Sequence, residues 1–160
     1  VANNKTAAYT LYKSMTGGLI KKTYIALLEG HLNKKSGVIE SYMRRCEDSI
    51  IKREECPSGE GKYARTEYRV MAESERYSLV EAHPETGRTH QIRVHMAYIK
   101  HPLVGDSVYG PAKQALASNG QMLHAEVLGF VHPTSGEYME FRQPLPLEFQ
   151  NLLERLRNGR

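Results

Sequence analysis

The chain has 160 residues, 40% hydrophobic and 25% charged, with 22 Lys and Arg against 18 Asp and Glu for a net charge of +4. A chain of this length can take roughly two-thirds of its unfolded surface out of water, so wholesale disorder is excluded, and the modest positive balance favours polyanionic partners only weakly. No apolar run approaches the ~18 residues of a membrane span, no signal-peptide pattern is present, and Cys46 and Cys56 lack a C-x-x-C spacing, so a reducing, cytoplasmic setting without a membrane partner is expected.

No repeat, charge block or long linker interrupts the chain, and residues 1–160 read as one domain. The first residue is Val1, not Met, so the chain is expected to be the back part of a longer protein. Asn4 can cap a helix over residues 4–15, with Ala8, Leu11 (or Tyr12) and Met15 at helical steps and Gly17-Gly18 ending it. Residues 23–29, apolar and partly β-branched, predict a buried strand closed by Gly30, and residues 38–43 predict another. Ile50-Ile51 are assigned to a further strand. Residues 63–73 alternate cleanly, with Ala64, Thr66, Tyr68, Val70 and Ala72 on one face and Arg65, Glu67 and Arg69 on the other. Residues 77–82 are their hairpin partner. Ile92, Met96 and Ile99 then predict a helix over 89–99, followed by a loop over 102–111. Strands at 122–130 and 137–141 flank a turn at Thr134-Ser135-Gly136. A last helix carries Phe149, Leu152, Leu153 and Leu156. This order implies an α+β fold, a mostly antiparallel mixed sheet with a few flanking helices, and not a doubly wound one.

Across residues 86–105 there is no acidic side chain, while Arg88, Arg93 and Lys100 join His90, His95 and His101. Arg88 falls at the start of the predicted helix, where free backbone N–H groups also favour an anion. Arg93 lies beside the stripe marked by Ile92 and Met96. It is either a solvated helix charge or a buried cation that needs a carboxylate or phosphate partner. The histidine spacings match no zinc pattern, so capping, packing or phosphate contact is expected and no metal. Tyr24, just after Lys21-Lys22, is either a core tyrosine with a satisfied hydroxyl or a residue that stacks on a base or moves a proton. The chain holds two aspartates. Asp48 reads as surface and Asp106, in a Gly-Asp loop, as a turn former. Neither is promoted to a catalytic carboxylate, and no nucleophile elbow or phosphate-cradling glycine loop occurs.

Five segments, taken in order, resemble one family. Lys22-Thr23-Tyr24-Ile25-Ala26-Leu27 with Glu29-Gly30 resembles the K-x-Y-x-A-L-x-x-G strand of RluA-type RNA pseudouridine synthases. Gly61-Lys62 through Tyr68 (GKYARTEY) resembles their G-K-x-A-x-T-x-Y strand, and SLVEAHPETGRTHQIRVH, ending at His95, resembles their most specific C-terminal motif. His101-Pro102-Leu103-Val104-Gly105-Asp106 with Tyr109-Gly110, and Leu123-His124-Ala125 with His132-Pro133, complete the order, and Pro144-Leu145-Pro146 closes it.

The resemblance implies an enzyme that isomerises uridine to pseudouridine in RNA, ribosomal RNA being favoured over transfer RNA, with no cofactor or metal. The target base is taken out of its stack into a pocket. Carried over residue by residue, Tyr24 and Arg93 match the catalytic tyrosine and the arginine that pairs with the catalytic aspartate. Ile92 matches the apolar residue lining the uracil pocket, while Arg88, Lys22 and Lys62 are candidate RNA-backbone contacts. The aspartate itself belongs to an H-R-L-D-x-x-S/T-S-G motif upstream of the first helix, and no R-L-D occurs in this chain. The chain is therefore expected to be an N-terminally truncated catalytic domain, inactive alone and prone to self-association through uncovered sheet. A non-catalytic RNA-binding module of the same fold is the alternative.

Overall fold

The computed structural model describes residues 3–113, 116, 118 and 120–158. Seven strands, β1 (Lys21–Glu29), β2 (Ser36–Arg45), β3 (Arg53–Cys56), β4 (Lys62–Glu73), β5 (Tyr77–Pro84), β6 (Leu123–Val131) and β7 (Tyr138–Arg142), form one sheet in the order β3-β2-β4-β5-β1-β6-β7. Every pairing among them is antiparallel, so the expected mixed sheet contains no parallel pair among the described strands. The helices are α1 (Lys5–Thr16), α2 (Gln91–Tyr98) and α3 (Leu147–Arg157).

Strand β1 has neighbours on both sides and helices over both faces, which is why its sequence is a continuous apolar run and not an alternation. Ala26 and Leu28 join Val80, Ala82 and Leu103 under Ile92 and Met96 of α2. Ile25 and Leu27 pack the opposite way, with Tyr77, Met122 and Val104 under Phe149 and Leu152 of α3. The hydrophobic periodicity of residues 92–99 and 149–156 thus marks the two layers that clasp the sheet.

Local backbone devices account for the differences from the sequence reading. Helix α2 starts at Gln91, two residues later than predicted, because His90 adopts a left-handed conformation (φ 58°) that a helix cannot contain. Arg88 therefore precedes the helix and does not sit in its first turn. In the β4–β5 ladder the register slips between Val70 and Ala72, leaving Met71 as an extra residue. A bulge of one residue reverses the facing of the residues beyond it, so Ala72 leaves the face of Ala64 and Thr66 and lines a groove with Leu27, Leu79 and Leu153, on the α3 side. Ile50 and Ile51 are not in a strand. They occupy bends before β3 and are 81% and 65% exposed, since the β2–β3 hairpin turns there and gives their backbone no partner strand.

Asn4 caps α1 as predicted, its side chain accepting from the Ala7 amide at 2.8 Å. No residue of α1 is buried, and Tyr9, Tyr12 and Met15 stand exposed. At the sheet edge, all five residues of β7 are exposed.

Candidate active site

An open cavity of about 450 Å³ lies on the α2 face of the sheet, lined by Lys22 and Tyr24 from β1, Thr86 to Arg88 from the β5–α2 connection, and Ile92 and Arg93 from α2. The β1–β6 register slips between Thr23 and Tyr24, with Glu126 the extra residue on β6. Such a bulge locally re-aims side chains, and here it sits where Tyr24 meets the cavity. Tyr24 is half-buried beside the core under α2, and its hydroxyl has no hydrogen-bond partner among the described residues. Burial pushes its pKa up, so it carries its proton at neutral pH. Lys22 Nζ donates to the Thr86 carbonyl at 3.0 Å. Burial first, and the nearby Arg88 charge second, lower its pKa.

Arg93 is 8% exposed. Its guanidinium forks onto Asp106, with Nε to Oδ2 at 2.7 Å and Nη2 to Oδ1 at 2.8 Å. Asp106 is fully buried, and its Oδ1 also accepts from the amides of Val108 and Tyr109 at 2.9 and 3.0 Å. Burial alone would raise the Asp106 pKa, but the Arg93 bonds and the two amides outweigh it and hold the carboxyl below its ordinary range. The Tyr109 ring lies 5.1 Å from the Arg93 guanidinium carbon, a cation–π contact from another side. The Tyr109 hydroxyl in turn accepts from the Arg53 amide at 2.8 Å and lies 2.9 Å from His90 Nδ1.

The turn former of the sequence reading is thus also the partner of the site arginine. A signal for it existed. An arginine beside an apolar stripe needs an anion, and Asp106 is the first acidic residue beyond the basic stretch of residues 86–105. The fork fixes one edge of the guanidinium and uses two of its five N–H groups. Nη1 has no hydrogen-bond partner among the described residues, and Arg93 lines the cavity.

Five of the six sequence-predicted site residues, Lys22, Tyr24, Arg88, Ile92 and Arg93, converge on this cavity. Lys62 does not. It lines a neighbouring cleft that shares Gly87 and Arg88 with the first. His95 is buried between Ser41 and Thr66, 3.0 and 2.9 Å away, and burial pushes its pKa down to about 4, so it is a neutral packing residue.

The sequence model of the family described as RNA pseudouridylate synthase matches residues 1–98. Among curated proteins, the chain is similar to Uncharacterized RNA pseudouridine synthase YlyB of Bacillus subtilis (strain 168), 42% identical over 159 residues, which cover 99% of this chain and 52% of that protein. It is also similar to Ribosomal large subunit pseudouridine synthase D of Zymomonas mobilis, 40% identical over 144 residues, covering 86% of this chain and 45% of that protein. Among solved structures, Human RNA Pseudouridylate Synthase Domain Containing 1 superposes with a TM-score of 0.76 at 29% identity, covering 98% of this chain and 74% of the other. The chain spans about half the length of the curated relatives it matches.

Proposed function

Since the chain belongs to the RNA pseudouridine synthase family, of RluA type, we infer that the cavity around Tyr24 and Arg93 is the uracil pocket of an enzyme that isomerises uridine to pseudouridine in RNA. In this reading the chain supplies a portion of that catalytic domain, in keeping with its spanning about half the length of the curated relatives it matches. The observation that carries the reading is the convergence of a tyrosine, a buried guanidinium and an apolar side chain in one open cavity, from segments far apart in sequence. Ribosomal RNA is the favoured substrate, in keeping with the name of the Zymomonas relative, and the cytoplasm the setting. No helix among the described residues is long and apolar enough to cross a membrane.

In this reading the target uridine swings out of its stack and its base enters between Tyr24 and Ile92. Lys22 and Arg88 hold the flanking phosphates. An aspartate from the R-L-D motif, which this chain lacks, bonds to the ribose C1′ as the N1–C1′ bond breaks. The freed uracil turns, its C5 bonds to C1′ as the aspartate leaves, and the proton lost from C5 is balanced by one gained at N1. Arg93 presents the N–H groups that Asp106 leaves free to that carboxylate, keeping it ionised and aimed. Asp106 is the positioning residue of Arg93 and not the nucleophile, because it is fully buried with its oxygens engaged by the fork and the turn amides. Tyr24, protonated at neutral pH, packs on the base and relays the proton: it passes its hydroxyl proton to solvent or to the freed N1 as it accepts the one leaving C5.

Tritium release from RNA labelled at uridine C5 tests this. The full-length protein containing this chain releases tritium, Tyr24→Phe in that protein slows release by about 10²-fold or more, and the 160 residues alone release none. A full-length protein without release would leave the alternative, a non-catalytic RNA-binding module of the same fold.

The isolated chain self-associates in this reading. Val131, Tyr138 and Phe141 are about half exposed along β6 and β7, and β7 has no neighbour on its outer edge among the described strands. Such an edge is a template for pairing. Sedimentation equilibrium at tens of micromolar is expected to give dimers or larger species, and a monomer at all concentrations would contradict it.

A further inference from the structure

Beside the uracil pocket lies a second cleft, of about 440 Å³, lined by Arg44, Arg45, Arg53, Lys62 and Arg88, with Glu60 the one acidic side chain among its described lining residues. Arg44 is neutralised within the fold, its Nε on Glu54 at 2.8 Å and its Nη1 on Glu60 at 2.7 Å. The other four cations have no carboxylate partner among the described residues. Arg53 Nη1 points at the carbonyls of Ile50, Ile51 and Lys52, 3.2 to 3.3 Å away, and Arg88 Nε donates to the Tyr63 carbonyl at 2.7 Å. Glu47 and Asp48 lie in the turn beyond Arg45 and do not line the cleft.

The β2–β3 register sets Arg45 directly opposite Arg53. Like charges at facing positions of an antiparallel pair are destabilising, and a hairpin that keeps them without a carboxylate is shaped for an external anion. The cleft also shares a frame with the pocket. Gly87 and Arg88 line both, and the Arg53 amide is tied through the Tyr109 hydroxyl to the ring stacked on Arg93. Gly87 has no side chain to form a wall between the two.

We propose that this cleft is a phosphate-binding track for the single strand of RNA next to the flipped uridine, with Arg45, Arg53 and Lys62 gripping backbone phosphates that leave the pocket past Arg88. This rests on the RNA reading of the pocket and deepens it. Contacts of this kind are sequence-independent and release counterions, so each cation contributes about 0.7 to the magnitude of the log–log salt slope for a single strand.

The test is fluorescence anisotropy of the 160-residue chain with a labelled single-stranded RNA carrying one uridine, from 50 to 300 mM salt. The variants are Arg45→Ala and Lys62→Ala, both exposed and without a carboxylate partner among the described residues, and their double, with Arg53→Gln as a milder change in the hairpin. The double variant is expected to weaken binding roughly tenfold at low salt and to lower the slope by about 1.4, equally for RNAs of different sequence. Thermal midpoints within a degree or two of the parent separate this from unfolding. Unchanged slopes in all four variants, with the parent chain binding RNA, overturn the track and leave the pocket reading intact. Reduced slopes in a protein whose full-length form releases no tritium support the track and refute the isomerase reading.

Discussion

Asp106→Ala is expected to lower the unfolding free energy by about 3–5 kcal/mol at neutral pH, read as a shift in the urea midpoint with the slope unchanged. The loss comes from Arg93, left charged in a buried place with its fork empty, and from the Val108 and Tyr109 amides, which lose their acceptor. Two further results separate this from a mere cavity. Combining Asp106→Leu with Arg93→Met restores part of the stability, because a buried ion pair replaced by apolar groups costs little, while the Val108 and Tyr109 amides still lack their acceptor. The pH dependence also has a definite sign. The folded Asp106 carboxyl titrates below its ordinary value of 3.8, so its contribution is complete above that value and fades as the pH falls through the lower, folded one. The gap between parent and Asp106→Ala should therefore be widest near pH 7 and narrower near pH 3. A destabilisation under 1 kcal/mol at pH 7 would mean that Arg93 finds another anion or rotates into solvent.

Arg93→Lys in the full-length protein is expected to slow tritium release by about 10²-fold, the scale of an ångström of misplacement in a catalytic group, with RNA affinity within about threefold of the parent. Lysine keeps the charge, but it is a point donor that cannot brace one edge on Asp106 while presenting another to a second carboxylate. Activity within a few-fold of the parent would mean that Arg93 does not aim the catalytic carboxylate. A parallel loss of RNA affinity would make it a phosphate contact instead.

Several elements were legible because burial is written into residue order. The run of residues 25–28 can only be a strand covered on both faces, and the structure covers it with α2 and α3. The alternation in β4 gives its inward face as far as Val70. It fails at Ala72, because a one-residue bulge at Met71 is a property of the ladder with β5 and not of β4 alone. Ile50 and Ile51 show the same limit. β-branched character favours a strand only where a partner backbone exists, and the hairpin turn supplies none. In the site, residue pattern alone leaves two readings each for Tyr24 and Arg93, the motif resemblance implies their roles and that of Ile92, and all three line one cavity. Lys62 lies in the adjoining cleft, a separation that residue spacing cannot express.

The chain's order of apolar and charged residues determined the α+β class, the buried strand at residues 23–29, the capped first helix and the concentration of cations between residues 86 and 105, since each depends on neighbours within a few residues. The tertiary structure alone decided that Asp106 meets Arg93 and that Arg45 faces Arg53. It also decided that Met71 and Glu126 are the extra residues at which two ladders slip. Those outcomes depend on which backbones pair and in which register, and the free energy that selects a register is summed over the whole sheet and its two helical layers.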